Sequence, residues 1–271
     1  MADDPLDDFT RREFTHEGKR RTVYDVGSGP AVIVIAEMPG ITPGVATFAR
    51  RVAAIGCTAV VPHLFGEPGR DPLTAKGRPS VGRFVRSIVP TCVSREFTVM
   101  ATGRTSPVVD WLRALARDAH ERCGGPGVGA VGMCFTGGFA LAMATDDRLL
   151  APVLSQPSLP FGLTKQQRSS IDISDDDLAI VKERCAAGLE VIGLRFTGDK
   201  LVPAARFEFL RRELGDAFVA IELPDHAANP DPSNPPHSVL TEHLIDQEGE
   251  PTRDALDRVL DLFRTRLDVA S

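Results

Sequence analysis

Gly127-Val128-Gly129-Ala130-Val131-Gly132-Met133-Cys134-Phe135-Thr136-Gly137-Gly138-Phe139-Ala140-Leu141-Ala142 is the stretch on which the reading of this chain turns. Small and β-branched residues run into Gly132, a cysteine stands at the corner, and two glycines lead into Phe-Ala-Leu-Ala-Met-Ala, which favours helix. The pattern is strand, sharp turn, helix. A nucleophile elbow needs this layout, because the reactive side chain sits on a strained turn above the sheet and only small neighbours let the two backbones approach. The sulfur of Cys134 would stand at a helix N-terminus, where free N–H groups and the dipole favour a thiolate. Two plainer readings share the stretch: Cys134 as a small buried hydrophobe, and the glycines as a weak phosphate-binding loop.

With 271 residues, 42% of them hydrophobic, the chain is long enough to bury a large core. Strand and helix patterns alternate along it, so residues 20–271 read as a single α/β domain preceded by a polar arm at 1–19. A net charge of -6 argues against nucleic acid as a partner, because phosphate binding needs a basic field. The first residues are acidic where a secretory signal is basic and then apolar, and no apolar run is long enough to span a bilayer. A cytoplasmic protein without a membrane partner is the expectation. Cys57, Cys92, Cys123, Cys134 and Cys185 include no CxxC pair, so neither a disulfide framework nor a metal site is expected.

Upstream of the elbow, residues 21–26 have strand character, and Ala31 to Ala36 form a continuous apolar run that suits a strand covered by helices on both faces. That run ends in Glu37-Met38-Pro39-Gly40. Ligands of open α/β sheets gather outside the C-terminal ends of strands, so Glu37 and the Met38 N–H are candidates for the site, with helix capping or an arginine pair as the alternative for Glu37. A helix is predicted at 44–55 and a strand at 57–62. Residues 63–95 are irregular and basic, carrying Arg70, Lys76, Arg78, Arg83, Arg86 and Arg95. They read either as a cap that attracts a carboxylate-bearing substrate or as solvated charges.

A helix opening at Pro107, with Trp111 beside its buried face, delivers the chain to the strand before Cys134. Downstream, a short strand is expected at 151–157, a helix at 175–187 capped by Ser174, a strand at 189–196, a helix at 203–213, a strand at 217–223 and a closing helix at 251–269. Asp199 falls in the turn past the 189–196 strand, where aspartate is also common for ordinary turn reasons. His226, His237 and His243 follow in or after a proline-rich loop.

Cys134, Asp199 and His237 thus occur in the order nucleophile, acid, histidine, each at or beyond the C-terminal edge of a strand. Together with Gly132-Met133-Cys134-Phe135-Thr136-Gly137-Gly138, Glu37 ahead of Met38-Pro39-Gly40, Gly198-Asp199 and His237-Ser238, this order resembles the dienelactone hydrolase family over residues 20–265. The resemblance implies an α/β-hydrolase fold, with a mostly parallel central sheet and helices on both faces. It also implies a cysteine-dependent hydrolase of small esters or lactones that needs no cofactor. Cys134 would be the nucleophile, His237 the base and later proton donor, and Asp199 the group that orients the imidazole. Glu37 would be a further carboxylate that interacts with the resting thiol, and the N–H groups of Phe135 and Met38 would form the oxyanion hole. His237 is preferred to His226 because the His-Ser pair matches the family.

The stretch departs from the family pattern at Thr136, two residues after the cysteine, where the elbow usually has glycine; a larger side chain there is expected to tighten or re-aim the turn. Two other functions fit parts of the pattern. One is a receptor-like α/β-hydrolase that binds a ligand without turning it over. The other is a redox-sensing thiol, for which Cys123 is the sequence-near candidate for a resolving partner.

Overall fold

A computed structural model describes residues 2–71, 96–98, 100–232 and 234–269. Its centre is an eight-stranded sheet in which the strands run in the order 1-2-4-3-5-6-7-8. The strands are β1 (Thr10–His16), β2 (Lys19–Gly27), β3 (Ala31–Ile35), β4 (Thr58–Pro62), β5 (Val128–Met133), β6 (Leu149–Ser155), β7 (Val191–Phe196) and β8 (Phe218–Leu223). The described helices are α1 (Pro43–Ala54), α2 (Val108–Cys123), α3 (Phe139–Met143), α4 (Lys165–Arg168), α5 (Asp175–Ala186), α6 (Ala204–Leu214) and α7 (Pro251–Arg266). β1 and β2 pair antiparallel, β2 meets β4 antiparallel, and β4-β3-β5-β6-β7-β8 are all parallel. This is the α/β-hydrolase fold.

Parallel strands explain the apolar runs. Side chains alternate between faces along a strand, and helices cover both faces here, so both sets must be apolar. Along β3, Ala31, Ile33 and Ile35 enter one core with Leu112 and Leu115 of α2 and Phe207 of α6. Val32 and Val34 enter the other with Phe48 and Val52 of α1 and Val259 and Phe263 of α7. The helix starts follow local capping chemistry: the Thr42 hydroxyl accepts from the Val45 N–H at 3.2 Å ahead of Pro43, and Ser174 accepts from Asp177 at 3.1 Å. Three aspartates in the first turn of α5 complement its positive end. Among the described residues, no helix is long and apolar enough to cross a membrane.

The expected polar arm at 1–19 is corrected by β1. The inward-leaning positions of that strand are Arg12, Phe14 and His16, only one of them apolar, so its alternation is hidden from a hydropathy reading. Phe14 meets Trp111 of α2 edge-to-face at 5.2 Å, and Arg12 forms ion pairs with Asp25 at 2.7 Å and Asp118 at 3.2 Å. Ahead of β1, Leu6 and Phe9 are buried in the core beneath α1. The elbow helix, α3, starts after the two glycines at Phe139 as the sequence suggests, and a single 3-10 turn, Cys134–Thr136, precedes it.

Because β3, β5 and β7 point the same way, the residues just past their C-terminal ends meet on one edge of the sheet. Glu37 follows β3, Cys134 follows β5, and Asp199 follows β7.

Candidate active site

The corner after β5 is drawn tight. Cys134 has φ +53°, a conformation that costs a side-chain-bearing residue strain and persists where the surroundings hold it. Two glycines make the turn possible: a Cβ on Gly132 would lie 2.1 Å from the Thr136 carbonyl oxygen, and one on Gly137 would lie 2.5 Å from Pro157 Cα. The carbonyl of Cys134 accepts from the N–H groups of Gly137 at 3.0 Å and Ser158 at 2.9 Å, while its sulfur lies 3.5 Å from Ser158 Oγ.

Thr136 is fully buried and hydrogen-bonded on both sides of the turn. Its hydroxyl accepts from the Met133 N–H at 3.0 Å and donates to the Ile35 carbonyl at 2.9 Å. The residue that breaks the usual glycine pattern is therefore a strut between the elbow and the end of β3.

His237 Nδ1 lies 2.6 Å from Asp199 Oδ2, and the other oxygen of Asp199 accepts from the Leu201 N–H at 2.9 Å. The carboxylate is thereby fixed in its plane. With Nδ1 committed to Asp199, Nε2 faces inward; it is buried, has no aligned hydrogen bond among the described residues, and lies within reach of the charge on Cys134. Burial lowers the imidazole's proton affinity, but the Cys134 charge and the bond to Asp199 together outweigh it. The pKa of His237 is held well above 6.5. His226 is exposed in the turn Asp225–Ala227 and makes no such contact, so the structure brings His237, not His226, to the acid.

Glu37 is 4% exposed and turned toward the histidine loop. Oε2 accepts from Ser238 Oγ at 2.6 Å and Gln156 Nε2 at 3.1 Å, and Oε1 accepts from Thr241 Oγ1. Cys134, with which the resemblance has Glu37 interact, is not among these hydrogen-bond partners. Met38 follows directly, in a turn closed by the Gly40 N–H donating to the Glu37 carbonyl at 2.8 Å. Phe135, whose N–H follows the cysteine, packs its ring edge-to-face on Phe65, Phe97, Phe139 and Phe161.

The match of sequence to a family model completes the assignment: the model of the dienelactone hydrolase family covers residues 21–181, more than half of the chain. The chain belongs to the dienelactone hydrolase family. Members hydrolyse esters and lactones, and this protein is an enzyme of that type. Solved structures repeat the fold. A candidate dienelactone hydrolase of Klebsiella pneumoniae subsp. pneumoniae MGH 78578 is 19% identical, with 94% of this chain and 98% of that one covered and a TM-score of 0.61. A dienelactone hydrolase-like promiscuous phosphotriesterase from metagenomic libraries is 17% identical, with coverage of 95% and 98% and a TM-score of 0.56. A cold-adapted esterase from an Arctic intertidal metagenomic library is 17% identical, with coverage of 98% and 97% and a TM-score of 0.54. Among curated proteins, none matches the sequence.

Several residues around the family constellation carry no sequence signal of their own. Gln156 is fully buried with φ +35°, accepts from Ser155 Oγ, and donates to Glu37. His243 is 1% exposed, and its Nδ1 accepts from the N–H groups of His237 at 3.4 Å and Ser238 at 3.2 Å, so its Nε2 carries the proton donated to the Asn234 carbonyl at 3.3 Å. Burial depresses its pKa, which suits this neutral scaffold role. Glu242, crowded by burial and by the charges of Glu37 and Asp71, is pushed up to about 7. Of the basic residues expected to form a cap, Lys76, Arg78, Arg83, Arg86 and Arg95 lie outside the described residues, as does Cys92. Arg70 is paired with Asp3 at 2.5 Å and lies 3.4 Å from Glu67. Cys123 is a free thiol that ends α2 ahead of β5, whereas Cys134 follows β5, so the six residues of that strand lie between them in the chain, a rise of roughly 20 Å.

Proposed function

We propose that the enzyme hydrolyses small esters or lactones through a covalent acyl-thioester on Cys134. The observation that carries this reading is the 2.6 Å bond between His237 and Asp199, with the buried Nε2 of His237 within electrostatic reach of a cysteine held at φ +53°. A free thiol has a pKa of about 8.5 and needs activation at neutral pH; an imidazolium beside it stabilises the thiolate. The Cys134 thiolate attacks the carbonyl carbon, forming the C–S bond and moving the carbonyl electron pair onto oxygen. The N–H groups of Phe135 and Met38 receive that oxyanion.

Collapse of the tetrahedral intermediate breaks the bond to the leaving alkoxide, which takes the Nε2 proton of His237. The imidazole, now neutral, removes a proton from water, and the hydroxide attacks the thioester. Expulsion of the thiolate releases the acid and restores the starting pair. Asp199 fixes the imidazole's orientation throughout. Glu37 serves this chemistry by holding the histidine loop through Ser238 and Thr241, with Gln156 as its third partner. The substrate is a small molecule met in aqueous, cytoplasmic surroundings. A carboxylate on it would rely on the basic residues of the 63–95 segment.

The test is steady-state and single-turnover hydrolysis of a panel of lactones and activated esters, neutral and carboxylate-bearing, by wild type and Cys134→Ala. Wild type should turn over members of the panel, Cys134→Ala should fall to background, and a slow ester should leave an acyl adduct on Cys134 by intact mass. Retained turnover in Cys134→Ala would exclude the thiol as nucleophile. An inert wild type would move ligand binding without turnover ahead.

A further inference from the structure

The two oxyanion donors of the proposed mechanism come from different segments, and their spacing has to be fixed by something. β3 and β5 are paired by backbone hydrogen bonds only as far as Ile35 opposite Gly132. Met38 and Phe135 each lie three residues beyond that last pair, past the point where the ladder holds the two chains together. The hydroxyl of Thr136 continues the connection. It takes the Met133 N–H at 3.0 Å on the elbow side, reaches the Ile35 carbonyl at 2.9 Å on the β3 side, and has the Ala36 carbonyl at 3.3 Å. Glycine at this position would supply neither bond, and the whole link is buried from water, so no solvent molecule substitutes for it.

We propose that Thr136 is the positioning residue of the oxyanion hole, its hydroxyl setting the distance between the Phe135 and Met38 N–H groups. The assignment rests on the thiol-hydrolase reading above. A donor misplaced by a fraction of an ångström matters more to the developing oxyanion than to the bound ester, because charge on that oxygen appears only in the transition state. The role therefore differs from general support of the elbow, which would act on Cys134 and His237 as well.

The experiment compares wild type with Thr136→Val, which keeps the volume and loses both bonds, and Thr136→Ser, which keeps the hydroxyl. Four quantities are read: kcat, KM, the affinity of a trifluoromethyl ketone that forms a hemithioketal oxyanion on Cys134, and the rate of Cys134 alkylation by iodoacetamide, which needs no oxyanion hole. Loss of a whole oxyanion donor costs about 100- to 1000-fold in kcat; a displaced pair should cost Thr136→Val roughly 10- to 100-fold. KM and the alkylation rate should stay within about twofold, ketone affinity should fall in step with kcat, and Thr136→Ser should restore most of both. If Thr136→Val does not fold, Thr136→Ala is read by the same criteria. Unchanged kcat, or alkylation falling as far as kcat, overturns the assignment. A wild type inert to every ester and to the ketone overturns the hydrolase reading and this assignment with it, whereas an active wild type matched by Thr136→Val overturns the assignment alone.

Discussion

His237 gathers most of the electrostatic argument at the level of single residues. Its proton is favoured by the Cys134 charge and by Asp199 against the opposing effect of burial, so the imidazolium persists to higher pH than an ordinary histidine, which titrates at about 6.5. That charge contributes stability fully present below the unfolded pKa and lost as pH rises through the raised folded value. In the proposed mechanism the same deprotonation removes the donor for the leaving group, so kcat/KM should fall on an alkaline limb set by His237. Asp199→Asn removes one of the causes that raise the pKa, so this limb should move to lower pH, with kcat also reduced as the imidazole loses its orientation. A pH profile of kcat/KM for both proteins checks this; an alkaline limb that does not move would detach Asp199 from His237. The His237–Asp199 pair and the places of Glu37, Cys134 and Asp199 past strand ends were legible, because chain order and strand ends singled those residues out. The bonding of Glu37 was not legible: its partners Ser238, Thr241 and Gln156 sit as many as 204 positions away in sequence, and nothing local marks them.

The elbow shows at the next scale how a sequence pattern becomes a backbone constraint. Gly132 supports the turn because the space beside it is filled by backbone, the Thr136 carbonyl, which has no rotamer to move aside. Gly132→Ala should therefore cost at least the about 1–3 kcal/mol typical of overpacking and lower activity with it, read by urea denaturation and by turnover of the same ester. A variant with wild-type stability and rate would mean that the turn yields more readily than its geometry implies. The parallel strands and the long helices were readable from apolar runs and from 3.6-residue periodicity. β1 was not, because its inward positions hold an ion-paired arginine, Arg12, as well as the apolar Phe14. The same limit hid Arg206: a fully buried guanidinium on α6, it donates to the carbonyls of Pro157, Pro160, Gln167 and Ser170 and so pins the loop that carries Ser158 beside Cys134. A charged residue on a helix carries no local sign that carbonyls from another segment surround it.

Across the whole molecule, the N-terminal segment ties the two-faced core to the sheet edge that carries Glu37, Cys134 and Asp199. Leu6 and Phe9 are buried against α1, Arg50 of α1 bonds Asp4 and Asp8, and the Asp4 N–H donates to Gly69 at 2.7 Å. Gly69 in turn donates to the Ile41 carbonyl at 2.7 Å, one residue after the Gly40 turn that carries Glu37 and Met38. Burial of a leucine or phenylalanine side chain stabilises by about 1.5–3 kcal/mol, while an exposed ion pair is worth at most about 1 kcal/mol, so Phe9 and Leu6 dominate this attachment. Phe9→Ala should lower stability by about 3–5 kcal/mol in denaturant unfolding, and Arg50→Ala by less. Arg50 holds the carboxyls of Asp4 and Asp8 below their ordinary values, so its contribution is present above about pH 4 and is lost as pH falls through the depressed values. Arg50→Ala should therefore flatten the acid side of the stability profile. If the chain of bonds from Asp4 through Gly69 and Ile41 steadies the Met38 turn, removal of residues 2–9 should also lower kcat/KM at a temperature where the truncated protein remains folded. Full activity in the folded truncation would confine the segment to a stabilising role.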